Sequence, residues 1–276
     1  MRVCSSIAEL RAVLRDPGRV GFVPTMGALH DGHLSLVRAA KAESDLVIVS
    51  IFVNPMQFGP TEDFSKYPRS FERDRDLLEK EGVDVLFVPS VKEIYPDGAR
   101  TFVTVDGLSE RLCGRSRPGH FRGVTTVVAK LFNIVEPDLA FFGQKDAAQV
   151  AIIKRMVTDL NLTVRIVVCP IVREPDGLAM SSRNAYLNPE ERRRALVLSS
   201  ALQKVEHSFH QGEHHAPALI AIGKDVFAEE PLVRLDYFEI VNPDTLESVH
   251  EVEAPSLAAV AAFVGTTRLI DNIVLR

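Results

Sequence analysis

A chain of 276 residues has room for one large or two ordinary domains, and 46% apolar with 25% charged residues is a globular balance, not a disordered or fibrous one. A formal net charge of −5 argues against nucleic acid as the main partner, since such surfaces need a basic stripe. No apolar run approaches the roughly 18 residues of a membrane span, the N-terminus lacks the parts of a signal peptide, and three scattered cysteines (Cys4, Cys113, Cys169) suit a reducing cytoplasm better than a disulfide framework or zinc site.

In chain order, Ser6 and Glu9 have the spacing of a capping box, opening a helix that runs to Leu14 and stops at Asp16-Pro17-Gly18. An apolar run at 20–23 reads as a buried strand, followed by a glycine-bearing turn and a helix over 34–42. Residues 45–53 form a continuous β-branched run, as expected of a parallel strand covered on both faces. A long loop, 54–69, leaves its C-terminal end, and a charged helix over 70–81 leads to another strand at 83–88. The repeated β–α–β–α–β pattern predicts a Rossmann-like parallel sheet with right-handed crossovers.

Weak alternation at 101–105 suggests an edge strand. A basic loop at 115–123 precedes a helix over 124–134, a strand at 137–142, a turn at 143–149 into a helix, and a last parallel strand at 162–169. The polar stretch 173–184 carries Pro-Asp-Gly turn chemistry. Beyond Asn188-Pro189 the character changes to a long amphipathic helix over 190–207, a second over 217–227, and alternating antiparallel strands at 233–241, 258–263 and 268–274, with a turn at Asn242-Pro243-Asp244-Thr245. The expected organisation is an α/β fold: an N-terminal domain of residues 1–178 that binds ligand, and a smaller α+β lid domain of residues 179–276.

The chemistry concentrates in four places. The turn PTMGALHDGH (24–33) joins a strand to a helix. Such a turn aims backbone N–H groups and the helix dipole at an anion, Gly27 and Gly32 permit close backbone approach, and His30 and His33 are placed to donate to phosphate oxygens as charge builds on a leaving pyrophosphate. Met180-Ser181-Ser182-Arg183 supplies hydroxyls and a guanidinium fork on a loop able to close over a triphosphate. Gly143-Gln144-Lys145-Asp146 brings a lysine point charge to a strand end. Gln57 and Gln149, as neutral amides that both donate and accept, fit a small hydroxy acid.

A His-x-Gly-His turn with Met-Ser-Ser-Arg resembles the paired signatures of the nucleotidyltransferase superfamily that includes class I aminoacyl-tRNA synthetases. The fuller set PTMGALHDGH, FVNPMQF (52–58), YPR (67–69), SRPGHFRGV (116–124), FGQKD (142–146) and REPDGLAMSSRNAYL (173–187) resembles the pantothenate synthetase family in order and spacing, over about residues 20–190. That resemblance implies condensation of (R)-pantoate with β-alanine through a pantoyl adenylate, with ATP going to AMP and pyrophosphate, Mg²⁺, a cytoplasmic homodimer, and no membrane or nucleic-acid partner. It further implies that Met26, Gly27, Ala28, Leu29, His30, Asp31, Gly32, His33, Gly143, Gln144, Lys145, Asp146, Val172, Met180, Ser181, Ser182 and Arg183 hold ATP, with His33 the acid–base and phosphate-binding histidine. His30, Lys145, Ser181, Ser182 and Arg183 would join His33 in catalysis. Gln57 and Gln149 would hold pantoate, Gln57 also lying near the β-alanine path. The family often has glutamine where this chain has Ala148, which bears on a contact beside the pantoate site.

Other features carry less. Asp74 is a candidate Mg²⁺ contact whose plainer reading is a surface carboxylate. His207, His210, His214 and His215 cluster without the thiolate or carboxylate pattern that fixes a metal geometry, and Glu190-Glu191-Arg192-Arg193-Arg194 reads as a solvated helix face. The rival enzyme is an adenylyltransferase acting on a phosphate ester, which needs neither β-alanine nor paired glutamines. A truncated tRNA synthetase-like binding module fits poorly with the acidic charge and the lack of an anticodon-type domain.

Overall fold

The computed structural model describes residues 1–14, 18–60, 62–253 and 255–276. Asp16 and Pro17, part of the expected first helix stop, lie outside the described residues. The chain forms β1 (Arg2–Cys4), α1 (Ile7–Val13), β2 (Val20–Thr25), α2 (Asp31–Glu43), β3 (Leu46–Ile51), α3 (Phe71–Lys80), β4 (Val85–Phe87), the one-turn helices α4 (Val91–Ile94) and α5 (Cys113–Ser116), α6 (His120–Val135), β5 (Leu139–Gly143), α7 (Ala147–Asp159), β6 (Arg165–Cys169), α8 (Pro189–Ala195), α9 (Val197–His210), α10 (Ala216–Ala228), and the strands β7 (Val233–Val241), β8 (Ser256–Val264) and β9 (Thr267–Leu275).

Six strands make one sheet in the order β1-β4-β3-β2-β5-β6, all pairs parallel. From β2 the chain winds outward through β3 and β4, then returns to lay β5 on the other side of β2. The order reverses between β2 and β5, and open α/β sheets bind ligands at such a reversal, beyond the carboxyl ends of the strands. Sequence sharpens this crevice. Pairing of β2 with β5 covers Gly21 and Phe22 only, whereas pairing with β3 continues to Thr25. Two residues past Phe22 on the same side is Pro24, which has no N–H to extend that ladder.

The last three strands form a separate antiparallel sheet, β7-β8-β9. Side chains alternate across β8, so its two faces serve two cores. Ala258, Val260 and Ala262 pack with Leu198, Leu202 and Leu219 of α9 and α10. Leu257, Ala259 and Ala261 pack into the same apolar cluster as Phe121 and Ile152 of α6 and α7 and Phe142 of β5 in the parallel-sheet part of the chain. Leu178, at the expected boundary, belongs to the second cluster.

Several expectations needed correction. Residues 101–105 form no strand: Val103 N–H donates to Thr126 Oγ1 at 3.0 Å and its carbonyl accepts from Thr125 Oγ1 at 2.6 Å, so this segment is pinned to the side chains of α6 instead of a sheet edge. The long helix from 190 is two helices, because Leu196 N–H bonds back three residues to Arg193 O and tightens the turn. β1, too short for periodicity to show, adds an edge strand beside β4. The capping box at Ser6 and Glu9 is present as expected.

Candidate active site

The 24–33 turn is locked from within. Gly27 has φ +80, and Ala28 takes a left-handed conformation at φ 51 despite its Cβ, a strained choice that needs support. Asp74, from the first turn of α3, supplies it: Oδ2 accepts from Ala28 N–H at 2.7 Å and Oδ1 from Leu29 N–H at 2.9 Å. At 1% exposure, Asp74 is not a surface carboxylate; both its oxygens accept from backbone amides, and it borders neither cavity described below. Nor is the turn an anion cradle of free amides. Gly27 N–H donates to Thr25 Oγ1, Gly32 N–H to His30 Nδ1, and His33 N–H to His30 O. With the amides of residues 27, 28, 29, 32 and 33 engaged, the donors on hand at this turn include side chains.

Those side chains are the two imidazoles. His30 is the N-cap of α2, its Nδ1 accepting from Gly32 N–H at 3.2 Å, while His33 Nδ1 accepts from His30 N–H at 3.4 Å. A ring nitrogen that accepts carries no proton, so each neutral ring bears its proton on Nε2. Both rings are neutral: burial, then Lys145, pushes His30 down to about 4, and burial, then His30 and Lys145, pushes His33 down to about 3. The rings lie 4.1 Å apart between centroids. Gly32 makes this possible, since a Cβ there would stand 2.9 Å from the His30 ring.

A cavity of about 230 Å³ opens in front of them. It is bordered by Met26 just past β2, Gly143 at the end of β5 and Lys145 after it, Val127 and Leu131 of α6, Val172, and Met180, Ser181, Ser182 and Arg183. A Cβ at Gly143 would meet nothing within 4 Å, so the strand end is open to a ligand. Gln57 and Gln149 both border the cavity. Gln57 is oriented by Asn54, whose Nδ2 donates to its Oε1 at 3.1 Å, and by Met26 Sδ, 3.1 Å from its Nε2. Gln149 stands in the first turn of α7. Ala148 beside it is 7% exposed and packs in the core, at the rim of a second, outer cavity of about 710 Å³. Arg117, His120, Lys145, Asp146, Gln149, Ser181 and Arg183 border both cavities, which makes them neighbouring parts of one cleft.

The arm at 180–183 is docked onto the turn. Ser182 Oγ donates to Ala28 O at 3.1 Å, Ser181 Oγ accepts from Arg183 N–H, and Met180 N–H donates to Val172 O at 3.0 Å. Arg183 is held in a two-point pair with Asp63, at 3.0 and 2.9 Å. Gly27, Ala28, Leu29, Asp31 and Gln144 border neither cavity; the first three shape the turn through their amides.

Five residues here were not singled out in the sequence: Asn54, Glu62, Asp63, Arg117 and His120. Arg117 forms a two-point pair with Glu62 at 2.7 and 2.6 Å and donates to His120 Nε2 at 3.0 Å. His120 Nδ1 in turn donates to Gln57 O at 2.7 Å, and burial, then Arg117, holds His120 at about 4. The basic, glycine-containing loop before α6 was the available signal. Gly123 completes it, because a Cβ there would fall 2.2 Å from Met56 O, so only glycine lets α6 cross the 54–69 loop this closely. Among the described residues no group of three or more His, Cys, Asp or Glu is placed to hold a metal, the cluster from His207 to His215 included.

An open parallel sheet with paired imidazoles and a lysine at its switch point, closed by a Ser-Ser-Arg arm, defines an α/β enzyme of the nucleotidyltransferase class. Comparison with known proteins narrows this. The model of the Pantoate-beta-alanine ligase family matches residues 2–274, and the chain belongs to that family. It is 60% identical to a pantothenate synthetase of Acidobacterium capsulatum, covering 100% of this chain and 97% of that protein, and 59% identical to one of Koribacter versatilis, covering 100% and 96%. The crystal structure of pantothenate synthetase from Thermus thermophilus superposes with a TM-score of 0.96 at 49% identity over 99% of each chain. That of the Francisella tularensis pantoate-beta-alanine ligase, complexed with beta-gamma ATP and beta-alanine, does so with a TM-score of 0.82 at 36% identity over 99% and 97%.

Proposed function

We propose that this chain condenses pantoate with β-alanine at the expense of ATP, and that the cleft described above carries out both half-reactions. In the first, a pantoate carboxylate oxygen attacks the α-phosphorus, a C–O–P linkage forms and pyrophosphate leaves. In the second, the β-alanine amine attacks the activated carbonyl, AMP leaves and the amine's surplus proton goes to solvent. Neither step needs a protein nucleophile, so the enzyme's task is alignment and charge stabilisation.

The observation that carries this reading is the pair of Nε2–H donors beside Lys145, facing a cavity bordered by Gln57, which Asn54 and Met26 hold in place, and by Gln149. His30 and His33 donate to phosphate oxygens, and because they are neutral they do so without a full charge to desolvate. Lys145 adds a point charge at the α-phosphate, and Ser181, Ser182 and Arg183 take the outer phosphates. Gln57 and Gln149 receive the hydroxyls and carboxylate of pantoate. Apolar Val127 and Leu131 on one wall suit its methyl groups and help keep water from the acyl adenylate.

Mg²⁺ would arrive on the triphosphate, since it is commonly held by phosphates plus one or two carboxylates. Asp146, half exposed at the outer cavity, is the carboxylate placed to reach it, and the ion would neutralise phosphate charge. No helix among the described residues is long and apolar enough to cross a membrane. Cys4, Cys113 and Cys169 are free and buried, which favours a reducing cytoplasm, and the family resemblance favours a homodimer. The division at 178/179 is read as the hinge by which residues 179–276 adjust over the nucleotide. Isotope exchange between pyrophosphate and ATP tests the function: it should depend on pantoate and need no β-alanine. Exchange driven instead by a phosphate ester would favour the adenylyltransferase alternative.

A further inference from the structure

The middle of β9 contains two adjacent polar residues, Asp271 and Asn272, each 3% exposed in a strand that is otherwise largely apolar. Burying such groups is costly unless every polar atom is matched, and here they are matched across the domain interface. Asn272 lies opposite Ala259, on the sheet face turned to the first domain. Its Nδ2 donates to the carbonyls of Gln144 and Lys145, both at 3.0 Å, and its Oδ1 accepts from Gln144 Nε2 at 3.0 Å. One side chain therefore binds two consecutive carbonyls and the side chain of the turn that presents Lys145.

Asp271, on the opposite face beside Val260, grips Arg173 in a two-point pair at 2.6 and 3.0 Å, and its Oδ1 also accepts from Asn272 N–H at 2.8 Å. Arg173 stands at the root of the stretch leading to the 180–183 arm and donates to Gly177 O at 3.1 Å. The two walls of the nucleotide cleft, the Lys145 turn and the base of the arm, are thus referred to adjacent residues of one strand. A packing role alone would be met by apolar side chains. Apolar side chains, however, would leave the partly buried carbonyls of this turn unpaired, whereas a donor satisfies them and helps to hold their direction.

We propose that Asn272 is a positioning residue for adenylate formation: it fixes the backbone of Gln144 and Lys145 so that the Lys145 ammonium meets the α-phosphate, with Asp271 holding Asn272 and Arg173 in register. The inference rests on the reading of Lys145 given above. A double-mutant cycle on the full-length enzyme separates the two. The measurements are the single-turnover rate of adenylate formation with saturating ATP and pantoate, and the dissociation constant of ATP. Asn272→Ala should slow adenylate formation at least tenfold while changing ATP affinity less than about threefold. In the Lys145→Ala background it should cost no more than about a further twofold, because residues acting through one another are non-additive.

A merely structural role would multiply the two defects, and that result would overturn the proposal; so would an unchanged rate in Asn272→Ala. Should the alanine variant fold poorly, Asn272→Asp keeps the shape and the acceptor for Gln144 but loses both donors. It should show the same rate loss and the same non-additivity, and wild-type adenylation by it would equally overturn the proposal. If Lys145→Ala alone forms adenylate at the normal rate, the reading of Lys145 itself fails, a result distinguishable from failure of the coupling.

Discussion

The 24–33 turn and the 54–69 loop border the same cleft but are held by different means. In the turn, the amides of residues 27, 28, 29, 32 and 33 are all satisfied internally, the anchoring carboxylate of Asp74 is buried, and the functional imidazoles are neutral. Across the cleft, Arg183 and Arg117 are held by Asp63 and Glu62, ion pairs roughly a fifth to a quarter exposed at the cavity edge. On the proposed function, a ligand entering the first region finds donors already aimed, whereas in the second an incoming phosphate replaces a carboxylate. The difference then teaches a division of labour: one wall would be preorganised for the transition state, and the other would exchange an internal anion for a substrate anion.

Breaking the rigid wall should have the largest effect. His33→Ala removes one preorganised donor, and the rate of adenylate formation should fall roughly 10²–10³-fold, about 3–4 kcal/mol; wild-type turnover by the purified variant would place the chemistry elsewhere. On the exchangeable wall, Arg183→Ala should slow adenylate formation about 10–100-fold while weakening ATP binding less, because the contact strengthens as charge moves onto pyrophosphate. Rapid-quench detection of AMP in a single turnover checks this, and a defect confined to the β-alanine step would move Arg183 to the second half-reaction.

Between the walls, Gln149→Ala should weaken pantoate by about 1–3 kcal/mol through unpaired polar groups on the buried substrate, and leave ATP unaffected. Calorimetry reads both affinities, and an unchanged pantoate affinity would leave recognition to Gln57. The smallest effect has the opposite sign. Asp63→Asn removes the carboxylate that competes for Arg183, so ATP should bind up to about tenfold more tightly, roughly 1.4 kcal/mol. Weaker binding would show that Asp63 serves the nucleotide directly instead of holding its place.

Legibility in the sequence follows the same division. Strands, helices and the His-x-Gly-His and Met-Ser-Ser-Arg motifs are local patterns, and they predicted the parallel sheet and the C-terminal antiparallel strands, and pointed to many of the residues that border the inner cavity. What escaped depends on partners far apart in the chain. Asp74 lies 46 residues from Ala28, and nothing in the charged helix α3 marks one of its carboxylates as buried. Arg183 and Asp63 are 120 residues apart, and Asn272 and Gln144 128. The expectation of free amides in the turn failed for a related reason: sequence shows that a helix begins there, but not that Asp74, Thr25 and two imidazoles already satisfy its donors. The expected strand at 101–105 failed because the hydroxyls of Thr125 and Thr126 took the backbone groups a sheet would have used.

The central claim is that His30 and His33 are neutral donors with the proton on Nε2, fixed by backbone N–H groups at Nδ1. Nitrogen-15 NMR of the imidazoles, assigned with His30→Gln and His33→Gln variants, reads this directly. With both groups held well below the ordinary histidine range, the account predicts neutral Nε2–H rings from pH 8 down to about pH 5, with protonation only below that. An imidazolium at neutral pH, or the proton on Nδ1, would contradict it.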